Sequence, residues 1–179
     1  MVTGNGDRPI ALDLTAVSDS PAATRNLARR LGSLCSGGEA ILLRGDLGAG
    51  KTCFVQGLAL GLGVAGETIV TSPTFVLHAE YRGRLVLNHV DLYRLDDASA
   101  LDGLGIWDLL SDPKAVTAIE WPEMLGENLR DGRLDILIAD SGAGRRVLSA
   151  RARDARHAEL LASWLDKSGS AGKICPSTP

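Results

Sequence analysis

Residues Gly45-Asp46-Leu47-Gly48-Ala49-Gly50-Lys51-Thr52 fit the phosphate-loop pattern G-x-x-x-x-G-K-[ST], and they lie where a strand hands over to a helix. The run Glu39-Ala40-Ile41-Leu42-Leu43 before the pattern reads as a buried parallel strand, and Phe54, Val55, Leu58 and Leu62 after it are spaced as on a helix. Such a loop constrains the fold, because it needs a strand pointing at its start and a helix N-terminus at its end. Glycines let successive backbone N–H groups converge on a phosphate, and the helix adds about half a positive charge at its first turn. In this pattern Lys51 reaches the β- and γ-phosphates, and the Thr52 hydroxyl ligates Mg²⁺.

The chain is 179 residues long, the size of one domain. The expected organisation is a flexible N-terminus over residues 1–9, a single domain over 10–167 and a Gly-, Ser- and Pro-rich disordered tail over 168–179. No apolar run approaches the roughly 20 residues of a membrane span, and the N-terminus shows no export signal, so a cytoplasmic protein without a membrane role is expected. Cys35, Cys53 and Cys175 have no C-x-x-C spacing, which argues against a disulfide framework and a zinc site. Cys53 is expected to pack as a small hydrophobe behind the loop.

The net charge of −3 and 4% of aromatic residues exclude an autonomous binder of DNA or RNA, so any nucleic-acid role runs through partners. The basic run Arg145, Arg146, Arg151, Arg153 and Arg156 reads as a solvated face.

Helices are expected over residues 21–34, capped by Ser20 with Pro21 in the first turn, over 52–62, over 96–110 with interruptions at Gly103 and Gly105, and over 156–167. Strands are expected over residues 10–14, 39–43, 68–71, 75–81, 85–91, 115–121 and 134–139. With a hairpin turn at Tyr81-Arg82-Gly83-Arg84, the fold class is α/β, a three-layer sandwich like that of the P-loop NTPases with a mixed sheet.

A phosphate loop needs a carboxylate at the end of a neighbouring strand to hold Mg²⁺ or its waters. Glu120 ends the apolar strand Ala115-Val116-Thr117-Ala118-Ile119 and projects from the carboxyl edge, where ligands collect in such folds. Asp91 is a second candidate, on the same strand face as His89.

Four segments, the loop Gly45–Thr52, Ser72-Pro73-Thr74-Phe75, His89-Val90-Asp91-Leu92-Tyr93-Arg94-Leu95 and Ile119-Glu120-Trp121-Pro122-Glu123, resemble in order and spacing the bacterial TsaE family, the ATPase component of tRNA threonylcarbamoyladenosine biosynthesis. The resemblance covers roughly residues 12–150. It implies ATP and Mg²⁺ as cofactors, with Lys51 and the backbone of Leu47, Gly48, Ala49, Gly50, Lys51, Thr52 and Cys53 on the phosphates, and Thr52 and Glu120 on the metal. It further implies that Thr74 senses the γ-phosphate and that Asp91 positions metal or water. Thr24 resembles the family threonine near the base, and Arg145 a basic residue near the nucleotide. Cys53 departs from the pattern, where a second Thr follows the metal-binding one. The implied partners are the TsaD and TsaB proteins, with tRNA met only indirectly through that complex.

Taken singly, these residues also have structural readings, a rigid Ser-Pro-Thr loop or aromatics of a core or lid. The family spacing favours function for Thr74, Asp91 and Glu120, while for His89, Tyr93 and Trp121 both readings stay open. Rival classes remain distinguishable. A regulatory GTPase needs an N/T-K-x-D segment, and none of Lys51, Lys114, Lys167 or Lys173 lies in one. A small-molecule kinase needs an arginine-rich lid, of which the sequence offers no obvious insertion. A non-catalytic nucleotide-gated scaffold would bind ATP but be indifferent to Glu120→Ala.

Overall fold

A computed structural model of the chain describes residues 12–95, 97, 100–129, 132–166 and 175–176. The flexible start expected over 1–9 and most of the tail expected over 168–179 lie outside the described residues. One sheet runs in the order β3-β4-β5-β2-β6-β7-β1-β8. It is built from β1 Leu12–Ser18, β2 Glu39–Arg44, β3 His78–Arg82, β4 Val86–Asp91, β5 Ala115–Glu120, β6 Leu134–Asp140, β7 Arg146–Ala152 and the two-residue β8 Cys175–Pro176. The centre, β4-β5-β2-β6, is parallel, while β3, β7, β1 and β8 pair antiparallel with their neighbours. The expected mixed sheet is therefore present, parallel around the strand that feeds the loop.

Alternation along the central strands divides two cores. Ile41 and Leu43 of β2 join Val116 and Ala118 in the core beneath helices α1 Pro21–Leu34, α2 Lys51–Gly61 and α5 Ala155–Trp164. Leu42, Val90 and Ile119 face the opposite core, under α3 Ala100–Leu104, α4 Ile106–Ser111 and the 3₁₀ segment Pro122–Asn128. This is the three-layer sandwich that a sheet apolar on both faces requires. Helix α1 begins as its sequence dictates, with the Ser20 hydroxyl accepting from the Ala23 N–H and Pro21 in the first turn.

Helices α1 and α2 approach closely because glycine removes side chains from the contact. A Cβ on Gly57 would lie 2.2 Å from the Arg25 carbonyl oxygen, and one on Gly61 2.1 Å from that of Arg29. The loop at the head of α2 is thereby held against the N-terminal half of α1.

Several expected elements differ. Residues 68–71 form no strand, because their polar groups find other partners: the Thr68 N–H bonds Ala65 O, the Val70 carbonyl accepts from Gln56, and the Thr71 N–H meets the Tyr81 hydroxyl. The strand expected over 75–81 starts only at His78, since Pro73 opens a turn in which the Val76 and Leu77 N–H groups bond its carbonyl. The interruption expected in helix 96–110 at Gly105 is present, with φ +64°, whereas Gly103 lies within α3; Asp96, Ala98 and Ser99 lie outside the described residues. Strand β1 extends to Ser18 rather than ending at 14. The largest omission is β7. Its arginines hide a clean alternation in which Leu148, Ala150 and Ala152 are buried. Arg151 makes two 2.6 Å bonds to Asp13 across the β1 pairing, and Arg153 meets Asp135 of β6 at 3.1 Å. Those two arginines and Arg156, which donates to buried Glu39 at 2.7 Å, are paired rather than merely solvated.

The helix contact generates a prediction of opposite signs. Gly57→Ala gains about 1 kcal/mol of helix propensity but forces the helices apart at a cost of about 1–3 kcal/mol, so urea unfolding should show net destabilisation. Gly103→Ala in α3 meets nothing within 4 Å and should be neutral or stabilising in the same assay.

Candidate functional site

The in-register ends of β2, β5 and β4 assemble the site. Leu43 pairs with Glu120, and Glu120 with Asp91, so the strand feeding the loop and the two strands bearing carboxylates stop level with one another. Together with the head of α2 and the segment around Ser72 they enclose a cleft of about 280 Å³, lined by Leu47, Gly48, Gly50, Lys51, Thr52, Cys53, Ser72, Thr74, Asp91, Tyr93, Glu120 and Trp121. The loop's path depends on Gly45, where φ is +136° and a Cβ would stand 2.2 Å from the Ile138 carbonyl oxygen. Gly50 then caps α2 in the left-handed region at φ +109°.

Lys51 is folded back into the loop. Its Nζ donates to the carbonyls of Gly45 at 2.6 Å and Asp46 at 2.9 Å, and it stands 3.8 Å from the centre of the Trp121 ring. Burial pulls the lysine pKa below its ordinary value, against the opposing fields of Glu120, Asp91, Glu123 and Asp46. Trp121 takes this place in a left-handed conformation, φ +58°, with its ring 4.9 Å from that of Tyr93.

The two carboxylates are both buried but differently employed. Asp91 is fully engaged: Oδ2 accepts from the hydroxyls of Ser72 and, at 2.7 Å, Thr74, while Oδ1 accepts from the Tyr93 N–H at 2.9 Å. Glu120 uses one oxygen. Its Oε1 accepts from the Thr52 hydroxyl and from His89 Nε2, each at 2.9 Å. Among the described residues Oε2 takes no hydrogen bond, although it is not sealed from the cleft.

This arrangement fits a divalent cation carried with a polyphosphate. Thr52, Ser72, Thr74, Asp91 and Glu120 offer the cleft oxygens, the class that Mg²⁺ prefers, and Thr52 and Glu120 already touch. Among the described residues no group of three or more His, Cys, Asp or Glu is arranged to hold an ion alone. Electrostatics agree, since among the described residues Lys51 is the one basic side chain lining a cleft that holds two buried carboxylates, and a bare polyphosphate would add repulsion that a cation offsets.

The expected residues divide clearly. Lys51, Thr52, Thr74, Asp91 and Glu120 converge on the cleft, with Leu47, Gly48, Gly50 and Cys53. Ala49 is buried behind it, its N–H turned to Asp46 O. Cys53 corrects the expectation of a packed hydrophobe: it lines the cleft, its thiol donates to Pro21 O at 3.3 Å, and Arg25 approaches at 3.5 Å. Thr24 does not line the cleft. It is buried, with its hydroxyl bonded to those of Ser18 at 2.7 Å and to Ser20 O. Arg145 is exposed in the β6–β7 turn and likewise outside the cleft lining. Its neighbour Arg146, which sequence reasoning left in the basic run, donates from Nε to the Ala49 carbonyl at 2.9 Å and ties the loop to β7. Ser72 was named only within its motif, and its spacing two residues from Thr74 is the signal that both hydroxyls share one acceptor.

The family model described as Threonylcarbamoyl adenosine biosynthesis protein TsaE matches residues 18–148. The chain is similar to the tRNA threonylcarbamoyladenosine biosynthesis protein TsaE of Treponema pallidum, with 38% identity over 136 residues covering 76% of this chain and 98% of that one. The protein of the same name from Bacillus subtilis is 37% identical over 149 residues, 83% and 90% of the respective chains. Among solved structures, that of Bacillus subtilis YdiB matches with a TM-score of 0.71 and 29% identity, covering 88% of this chain and 97% of the other.

The Asp91 contacts predict a local effect of substitution. Asp91→Asn replaces acceptor capacity with an NH₂ group and weakens bonds worth about 1.5–3 kcal/mol each. Hydrogen exchange over residues 70–77 should accelerate by roughly 10- to 100-fold, with β2 and α2 unchanged. Uniform acceleration through the domain would refute this anchoring role.

Proposed function

The chain belongs to the TsaE family of threonylcarbamoyl adenosine biosynthesis proteins, and we propose that its cleft is a Mg²⁺-dependent ATP hydrolysis site that serves this tRNA modification. In this reading the protein works in the cytoplasm with TsaD and TsaB, on which the threonylcarbamoyl group reaches an adenosine beside the anticodon, and it meets tRNA only through them. The observation that carries the reading is the convergence of Lys51, Thr52, Asp91 and Glu120 on one cleft at the carboxyl edge of the sheet. Among the described residues no helix is long and apolar enough to cross a membrane.

The present contacts support a task for each residue. Lys51 exchanges two carbonyl acceptors and the Trp121 ring for phosphate oxygens, a stronger, charge-assisted pairing. The first turn of α2 adds N–H groups that the helix leaves without intrahelical partners. Thr52 and Glu120 would hold Mg²⁺, which would supply charge neutralisation at the phosphoryl group being transferred. Thr74 and Ser72 are bonded to Asp91, so a phosphate that draws Thr74 away also frees an Asp91 oxygen to orient the attacking water. Hydrolysis then breaks the bond from the γ-phosphorus to its bridging oxygen as the water oxygen bonds to phosphorus; one water proton stays on the phosphate formed, the other is released to solvent, and ADP and phosphate leave.

Two features support slow turnover by the isolated chain. Lys51 is engaged within the loop, and the segment bearing Thr74 carries Phe75 and Val76, 83% and 70% exposed, which a partner would cover and order. ATP turnover with Mg²⁺ should therefore rise at least about 10-fold when TsaD and TsaB are added, and Glu120→Ala should lower the stimulated rate on the order of 100-fold. Equal turnover without partners would contradict the coupling and point to a kinase-like activity. ATP binding without turnover in any mixture would identify a nucleotide-gated scaffold.

A further inference from the structure

We propose that His89 is a positioning residue that fixes Glu120 for the cation, a role that rests on the reading of the cleft as a Mg²⁺-nucleotide site. His89 lies on β4, with its ring fully buried beside that of Tyr81 at a centroid distance of 6.5 Å. Leu87, two residues away on the same face of the strand, is a core residue, and an apolar side chain at 89 would satisfy packing alone.

The imidazole instead carries an unpaired group. Nδ1 is buried and, among the described residues, has no hydrogen-bond partner, a burden of about 1–3 kcal/mol for a polar atom left unsatisfied. Among the described residues, the ring's one hydrogen bond runs from Nε2 to Glu120 Oε1 at 2.9 Å. A carboxylate only accepts, so Nε2 carries the proton. A residue kept for packing has no use for that bond, whereas a carboxylate that must hold one orientation has.

The orientation matters because Oε1 is shared. Thr52, on the first turn of α2, donates to the same oxygen, so Glu120 is pinned from β4 on one side and from the loop helix on the other. Two donors on Oε1 stop the carboxylate from rotating and leave Oε2 as the oxygen without a hydrogen bond among the described residues. Oε2 is then the atom presented to the ion or its waters. Partners that hold a metal-binding carboxylate in this way typically contribute 10- to 100-fold in metal affinity.

The test is ATP affinity by calorimetry, measured with Mg²⁺ and with EDTA. The wild type should bind more tightly with Mg²⁺. His89→Phe keeps a buried ring and should lose about 10- to 100-fold of the affinity in Mg²⁺ with the EDTA value unchanged, and His89→Gln, which retains a side-chain N–H, should recover most of it. A Mg²⁺ increment that survives in His89→Phe overturns the positioning role alone. Equal loss in Mg²⁺ and EDTA, without recovery in His89→Gln, also overturns it, in favour of packing. A wild type with no Mg²⁺ increment overturns the cation reading of the cleft and this role with it. Should His89→Phe not fold, ¹⁵N-histidine spectra of the wild type decide. The proton should sit on His89 Nε2, and its resonance should move with Mg²⁺-ADP but not with ADP in EDTA; the Nδ1-protonated form, or no shift, overturns the proposal.

Discussion

Three parallel strands that end level with one another set the geometry of the cleft. Parallel pairing gives β2, β5 and β4 a common direction, and their register brings Leu43, Glu120 and Asp91 side by side. A one-residue slip in β4 or β5 would turn each carboxylate to the opposite face of the sheet. Packing resists such a slip, because Ala118 and Ile119, which fill different cores, would have to trade places. The same packing that stabilises the sheet therefore holds the acidic residues at its edge, and the glycine contacts of α1 with α2 hold the phosphate-binding pattern opposite them.

Within that frame the cleft stores its charges in internal contacts. Lys51 rests on two backbone carbonyls and a tryptophan ring, Asp91 on two hydroxyls and an N–H, and Glu120 on Thr52 and His89. Buried charges require such partners. These contacts are exchangeable for phosphate oxygens, a cation and water, and they link four segments that lie far apart in the chain. In the proposed reading, a phosphate that recruited Lys51 would also remove a cation from Trp121, and one that recruited Thr74 would loosen the segment around Phe75. This joins ligand binding to the exposed apolar residues at the rim.

Much of this was legible in the sequence where the signal is local. The loop, α1 with its Ser20 cap, the apolar strands β2 and β5 and the strand-end acids Asp91 and Glu120 all follow from pattern and spacing. What escaped depends on contacts between distant segments. β7 was hidden because its arginines look like a solvated run until Asp13 and Asp135 are placed beside them. Residues 68–77 have strand-like composition, yet their polar groups are met by Gln56, Tyr81 and the carbonyls of Ala65 and Pro73. Arg146, left in the basic run, reaches the loop through the Ala49 carbonyl, a contact between distant segments. His89 could be placed on the face of Asp91 by alternation, but its bond to Glu120 required the register of β4 on β5.

The central claim is that this cleft takes a Mg²⁺-nucleotide and that Lys51 leaves its carbonyls to meet it. The most direct measurement is a crystal structure with Mg²⁺ and a non-hydrolysable ATP analogue. The account predicts phosphates cradled by Leu47–Cys53, Lys51 Nζ moved from Gly45 and Asp46 onto them, and the ion beside Thr52 and Glu120. Nucleotide bound elsewhere, with Lys51 still over Trp121, would contradict it.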